Sequence, residues 1–481
     1  SQCATRLCPT IKNRTPMTTN PFLTLDQQLL GDIYSSTEAM DNLTTLCDDF
    51  GSRFGGTPGE KQAADFLKAK LEEYGFTNVH LEPVEYVGWT RGAVTLEILS
   101  PVQMTMDCIT LPHSPPADLE AVIYDLGDGG PLDFAEYGDQ VAGKIAMVNS
   151  KTQPRGAKRW VHRMEKYGRS ILAGAKGFIF VNHYPAYGPA TGGIGDNAEG
   201  LIPGISVSYE DGAYLSRLIK RHGEVKVRLK STDRCAPMTS WNVVGELPGT
   251  ADNPEIVMVG CHYDGHDISQ GAIDPASGAV AVLEAARVLA KYAGRRPHTL
   301  RVALWGVEEI GLIGSHAYVD QHEDELDNVR FYFNMDAAGG SRPKDIVINE
   351  WPELETLVRE WQSAMANPFR VGKSISAHSD HFPFLLAGVP TGGMEPVQRD
   401  LSGRGYGHTR YDTLDKAELR NLQDAAALAA SFLLRVASEE HWPVERRSPG
   451  DVAQLFDKPE YNEERSIMNE IATFVAQQRA E

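Results

Sequence analysis

The chain lacks most of the features that announce the simpler classes of protein. No apolar run approaches the roughly 20 residues of a membrane-crossing helix, and mean hydropathy is −0.31, so no membrane partner is expected. Positive charge is in deficit: 46 Lys and Arg stand against 65 Asp and Glu, a net charge of −19. Such a surface repels phosphate backbones and excludes nucleic acid as an expected partner. Cysteine is scarce, six in 481 residues, and Cys47, Cys108, Cys235 and Cys261 show no C-x-x-C spacing; these read as inert thiols rather than a disulfide framework. Neither H-E-x-x-H nor G-x-S-x-G occurs, which removes zincin and serine-hydrolase readings. The one G-x-G-x-x-A, at Gly193, Gly195 and Ala198, lies in a polar loop rather than between a strand and a helix, so it makes no dinucleotide site.

What is present is ordinary globular composition, 42% apolar and 23% charged, in a chain long enough for two or three domains. Residues 1–16 lack the apolar stretch of a signal peptide and read as a leader outside the fold. Met17 reads as a native start, which implies a cytoplasmic protein. Asn13 in N-R-T and Asn42 in N-L-T fit the glycosylation acceptor instead, which implies secretion, so the compartment stays open. Residues 37–74 predict two helices around the turn-rich F-G-S-R-F-G-G-T-P-G-E. Residues 101–239 switch to short apolar runs bounded by turn residues, such as G-K-I-A-M-V-N and P-G-I-S-V-S-Y-E-D-G, which predicts a smaller β-rich insert. Beyond it, apolar strands alternate with amphipathic helices up to a long helix over 417–437. That alternation predicts an α/β fold with a mostly parallel mixed sheet covered by helices on both faces. Residues 17–100 and 240–440 then form one discontinuous catalytic domain, and 441–481 a helical extension that packs on the domain or on a second copy in a homodimer.

The chemistry gathers where the strands end, which is where open α/β sheets place their sites. E-I-V-M-V-G runs into His262, Asp264, His266, Asp267 and Asp274; L-R-V-A-L-W-G into Glu308 and Glu309; R-F-Y-F-N into Asp336; and His408 follows later. Charged groups at the mouths of apolar strands are costly unless paired or metal-bound. Imidazole and carboxylate are the usual ligands of zinc, and two His with three carboxylates hold two ions if one carboxylate bridges. Taken singly, each residue also has a plain structural reading, His262 as a hydrogen-bonded histidine and Glu308–Glu309 as a helix start.

These residues resemble the co-catalytic zinc exopeptidases, a family that includes bacterial aminopeptidases, glutamate carboxypeptidases and plasma glutamate carboxypeptidase. The pattern stands here as His262-x-Asp264, Asp274-x-Ala276-Ser277-Gly278, Glu308-Glu309-x-Gly311-Leu312-x-Gly314-Ser315, Asp336, Ser379-Asp380-His381 and His408-Thr409. The insert resembles a protease-associated domain. The resemblance implies a phosphorylase-like fold, two zinc ions per chain and peptide substrates. Asp274 bridges the ions, Glu309 and His408 complete one site, and His262 and Asp336 the other. Glu308 is then the general base for a water between the metals, and Asp264 fixes the tautomer of His262 through its other nitrogen. Tyr406 is the expected oxyanion donor, with Tyr411 competing. His266 and Asp267 are expected to be loop hydrogen-bonders, and His378 to His381 a helix cap or part of a substrate pocket. The Asp274–Pro275 bond is expected to be cis. Aminopeptidase action is preferred; a carboxypeptidase or dipeptidase using Arg399, Arg404 or Arg410 for a substrate carboxylate is the alternative, and a catalytically dead binding module the alternative of another class.

Overall fold

A computed structural model describes residues 20–480 except 293, 295, 341–343, 366 and 398–404. The expectations placed on residues 1–16, Met17, Arg399 and Arg404 therefore lie outside the described residues. Two eight-stranded mixed sheets organise the chain. The first runs, in spatial order, Thr77–Thr90, Arg234–Leu247, Thr299–Trp305, Ile256–His262, Val329–Asn334, Thr391–Met394, Ile346–Ile348 and Val371–Lys373. Its four central strands, from Thr299–Trp305 to Thr391–Met394, are parallel to one another. The second sheet takes its strands from between Val94 and Ser231, with parallel pairs at its centre.

Alternation along the Ile256–His262 strand shows how the first sheet is buried on both faces. Val257, Val259 and Cys261 enter one apolar cluster with the Gly278–Tyr292 and Leu419–Ser438 helices, whereas Ile256 and Met258 enter another with Tyr318 and Phe384. Successive side chains point to opposite faces of a strand, so an all-apolar strand needs cover on both. At Gly278 an added Cβ would lie 2.1 Å from the Met335 carbonyl oxygen, so the start of that helix can approach the neighbouring strand end only without a side chain.

The sequence reading finds its first helix only from residue 37, but a helix over Leu23–Ser35 precedes it. Its apolar face is short, and it is held by a partner no local pattern reveals: Asp26 and Arg435, each 2% exposed, form a paired bridge with a shortest contact of 2.7 Å. After the Leu419–Ser438 helix, helices at Pro449–Phe456 and Pro459–Ala480 complete the chain. The last of these packs Ile471, Phe474 and Val475 against the core of the second sheet. At its other end Tyr461 donates to Glu350 at 3.1 Å and Glu464 meets His378 at 2.9 Å, both on the first-sheet side. Among the described residues, no helix is long and apolar enough to cross a membrane.

The chain leaves the Ile256–His262 strand for Thr299–Trp305 on one side, then returns to Val329–Asn334 on the other. Such a reversal opens a crevice outside the carboxyl ends of the strands.

Candidate metal centre

That crevice holds the acidic and imidazole side chains. His262 ends its strand 1% exposed, with Nε2 3.3 Å from Asp336 Oδ1, 3.4 Å from Asp274 Oδ1 and 3.8 Å from Glu308 Oε2. The other oxygen of Asp274 lies 3.5 Å from His408 Nε2, and Glu309 Oε2 lies 3.6 Å from that same nitrogen. One carboxylate thus faces two imidazoles from opposite oxygens. Donor atoms of His262, Asp274 and Asp336 lie within 4.8 Å of one another, and so do those of His266, Glu309 and His408.

Each residue is held by its surroundings. Asp264 accepts from the backbone N–H of Glu308 at 2.9 Å and of Glu309 at 3.3 Å, so it sets the turn that aims both glutamates. The His262 Nδ1 lies 3.1 Å from the Asp264 main-chain carbonyl and 3.5 Å from its carboxylate; the closer partner is the carbonyl. Asp412 accepts from the N–H groups of Ile273 and Asp274 at 2.9 and 3.0 Å, and the Asp274–Pro275 bond is cis. Ser379 donates to Asp336 at 2.9 Å, and Asp380 accepts from Ser315 at 2.6 Å; Asp380 makes no side-chain cap to the following helix. The helix-cap expectation for this segment gives way to one of bracing Asp336. Arg53, fully buried, donates to the carbonyls of Leu46, Gly51, Tyr263, Gln270 and Gly271 and stitches down the loop after His262.

Other expected residues fall elsewhere. Asp267 pairs with Arg91 at 2.6 and 2.8 Å, as a loop hydrogen-bonder. His266 does not behave as one: it is 2% exposed and neither ring nitrogen has a hydrogen-bond partner, although Nε2 lies 2.9 Å from Glu309 Oε2. Tyr406 contributes its carbonyl to the Thr409 turn, and its ring lies 6.0 Å from Lys416 Nζ. Tyr411 is exposed beneath Arg410. A residue that sequence reasoning passed over, Arg163 of the insert, is buried, donates to the Gly193 and Thr191 carbonyls, and is close enough to feel the charges of Glu309 and Glu308.

Electrostatics in this pocket are those of a cation site. Burial would raise Asp274, yet His262 and His408 hold it well below the usual carboxylate range. Burial pushes Glu308 well up, opposed by His262 and reinforced by Asp380 and Glu309; Glu309 is raised likewise. Burial would lower His262, but Glu308 and Asp336 raise it well above the ordinary imidazole value. So many carboxylates out of water are costly unless a positive charge lies among them. The unpartnered Oε1 of Glu309 and both nitrogens of His266, in an oxygen and imidazole donor set, fit a divalent ion such as zinc.

A strand-order switch thus gathers imidazoles and carboxylates into two adjoining donor groups that suit divalent metal ions in an α/β fold. Residues 242–433 match peptidase family M28 and residues 117–215 match the PA domain. These matches mark residues 242–433 as similar to peptidase family M28 and the preceding 117–215 segment as similar to a PA domain. It is 27% identical over 412 residues to carboxypeptidase Q of Bos taurus, covering 83% of this chain and 85% of that protein. Among solved structures it is similar to a peptidase M28 precursor from Shewanella amazonensis, with TM-score 0.75 and 28% identity over 88% of this chain and 98% of that one. It is also similar to the zinc aminopeptidase of Bacillus subtilis, with TM-score 0.64 and 25% identity over 84% and 95% of the two chains.

Proposed function

We propose that the chain is a zinc exopeptidase acting on peptides, an aminopeptidase by first preference, with two ions per chain. The observation that carries this reading is the Asp274 carboxylate, whose oxygens lie 3.4 and 3.5 Å from His262 and His408. Asp274 would bridge, with Asp336 and His262 on one side and Glu309 and His408 on the other. Zinc bound there supplies Lewis acidity, which polarises a carbonyl and lowers the pKa of water. Glu308 takes the proton of the attacking water and returns it to the leaving amine; burial raises its affinity for a proton well above that of an ordinary carboxylate, the direction a general base needs. Asp264 holds the Glu308–Glu309 turn, and Ser379 orients Asp336. Tyr406 stays a proposal for the oxyanion, tested by its phenylalanine variant. Residues 17–100 and 240–440 carry the chemistry, and the 101–239 insert covers it.

Preference for a free substrate amine rests on the acidic surplus of the crevice, which attracts an ammonium group. Acetylating the N-terminus of a good substrate is expected to abolish turnover, while amidating its C-terminus leaves kcat/KM within about twofold. Arg163 favours a second reading, since a buried guanidinium facing the centre suits a substrate carboxylate; carboxypeptidase Q is among the similar proteins. Loss of turnover on amidation, with acetylation tolerated, would replace the first reading by that one.

Zinc affinity should depend on pH in a definite direction. Glu309 and His408 both bind protons more tightly than usual, and an ion competes with those protons. Affinity is therefore full where they are deprotonated and falls as pH drops, by about tenfold per unit for each proton displaced. Competition with a chromophoric chelator between about pH 8 and pH 6 measures it; a flat profile would contradict the assignment.

A further inference from the structure

We infer that His266 is an additional ligand, which closes the Glu309–His408 half of the centre and leaves the His262–Asp336 half as its open, exchangeable side. This rests on the dinuclear reading above. Nε2 of His266 stands 2.9 Å from Glu309 Oε2 without hydrogen-bond geometry, and neither ring nitrogen has another partner. The buried ring nitrogen and this carboxylate oxygen come close without bonding to each other, and the second oxygen of Glu309 is buried without a partner too, which suits a third group held between them. The rings of His266 and His408 meet edge to face at 4.5 Å, which brings two imidazoles and one carboxylate within 4.8 Å of one another.

The loop is built to hold this direction. Arg53 clamps the carbonyls of Tyr263, Gln270 and Gly271 on either side of His266, and Arg91 clamps Asp267. With Asp274 shared, one ion then has four protein donors, the closed set typical of tightly held zinc, and the other has three with a position open to substrate. Glu308 lies on the open side, 3.8 Å from His262.

Stepwise dialysis of the zinc-loaded protein against a chelator tests this by metal content. Wild type should release one ion readily and hold the second, whereas His266→Phe should lose the held ion at a chelator strength at least about 100-fold lower, more than the loss of a second-layer partner costs. The absorption spectrum of the cobalt-loaded protein should change with it. Retention and spectrum unchanged in His266→Phe would overturn the inference while leaving the dinuclear reading intact; a wild type that takes up no zinc would overturn that reading itself. If His266→Phe fails to fold, a crystal of the zinc-loaded wild type decides. Nε2 at about 2.0–2.1 Å from an ion is expected, and a separation beyond about 3 Å refutes it.

Discussion

Glu308→Gln is expected to retain both ions and lose about 100- to 10,000-fold in kcat, the usual cost of removing a positioned general base. The carboxylate stands outside both donor groups, yet within 3.8 Å of His262 Nε2. Its neighbour Glu309 points into the other group, because adjacent residues of a turn cannot aim at one point. Glu309→Gln should therefore lower metal content as well as rate. Metal analysis after dialysis, run beside steady-state kinetics, separates the two variants. A Glu308 variant that loses an ion while the Glu309 variant keeps both would exchange their roles, and near-normal turnover of Glu308→Gln would remove proton transfer from this residue altogether.

Asp274→Ala should have the larger effect. The substitution removes a donor from both halves at once, leaving His262 and Asp336 alone on one side, too few to hold an ion through dialysis. The other side keeps His266, Glu309 and His408 and is weakened rather than emptied. At most one ion per chain should remain, and activity should fall by more than about 10,000-fold, beyond what loss of one proton-transfer group explains. His262→Ala should empty only its own half. Two ions retained in Asp274→Ala would show that this carboxylate does not bridge.

The strands, the paired helices and the positions of His262, Asp274, Glu308, Glu309, Asp336 and His408 are legible because their signals are local. An apolar run ending abruptly in acidic or imidazole residues says where a strand stops and that something must compensate the charge. The Leu23–Ser35 helix, by contrast, depends on Arg435 more than 400 residues away. His266 could not be read because its direction is set by Arg53 and Arg91, which stand in segments whose own sequence announces only turns and strand ends. Asp412 lay unnoticed beside His408 for the same reason: its work is to hold the N–H groups of Ile273 and Asp274, and nothing in T-R-Y-D shows that contact. Tyr406 rests on the family resemblance, since nothing in G-Y-G-H-T sets the direction of its hydroxyl; the turn itself engages its main-chain carbonyl.

The Pro459–Ala480 helix carries a consequence for biosynthesis. It lies downstream of both sheets and fastens each to the other, through Ile471 against Gly168 on one side and Tyr461 with Glu350 on the other. Folding during translation proceeds from the N-terminus by units, so the insert and the peptidase sheet can each form while this helix is still being made or lies within the ribosomal tunnel. The donor groups of the metal centre, which all lie between His262 and His408, are then in place before this fastening emerges, and what the helix adds last is the tie between the two sheets.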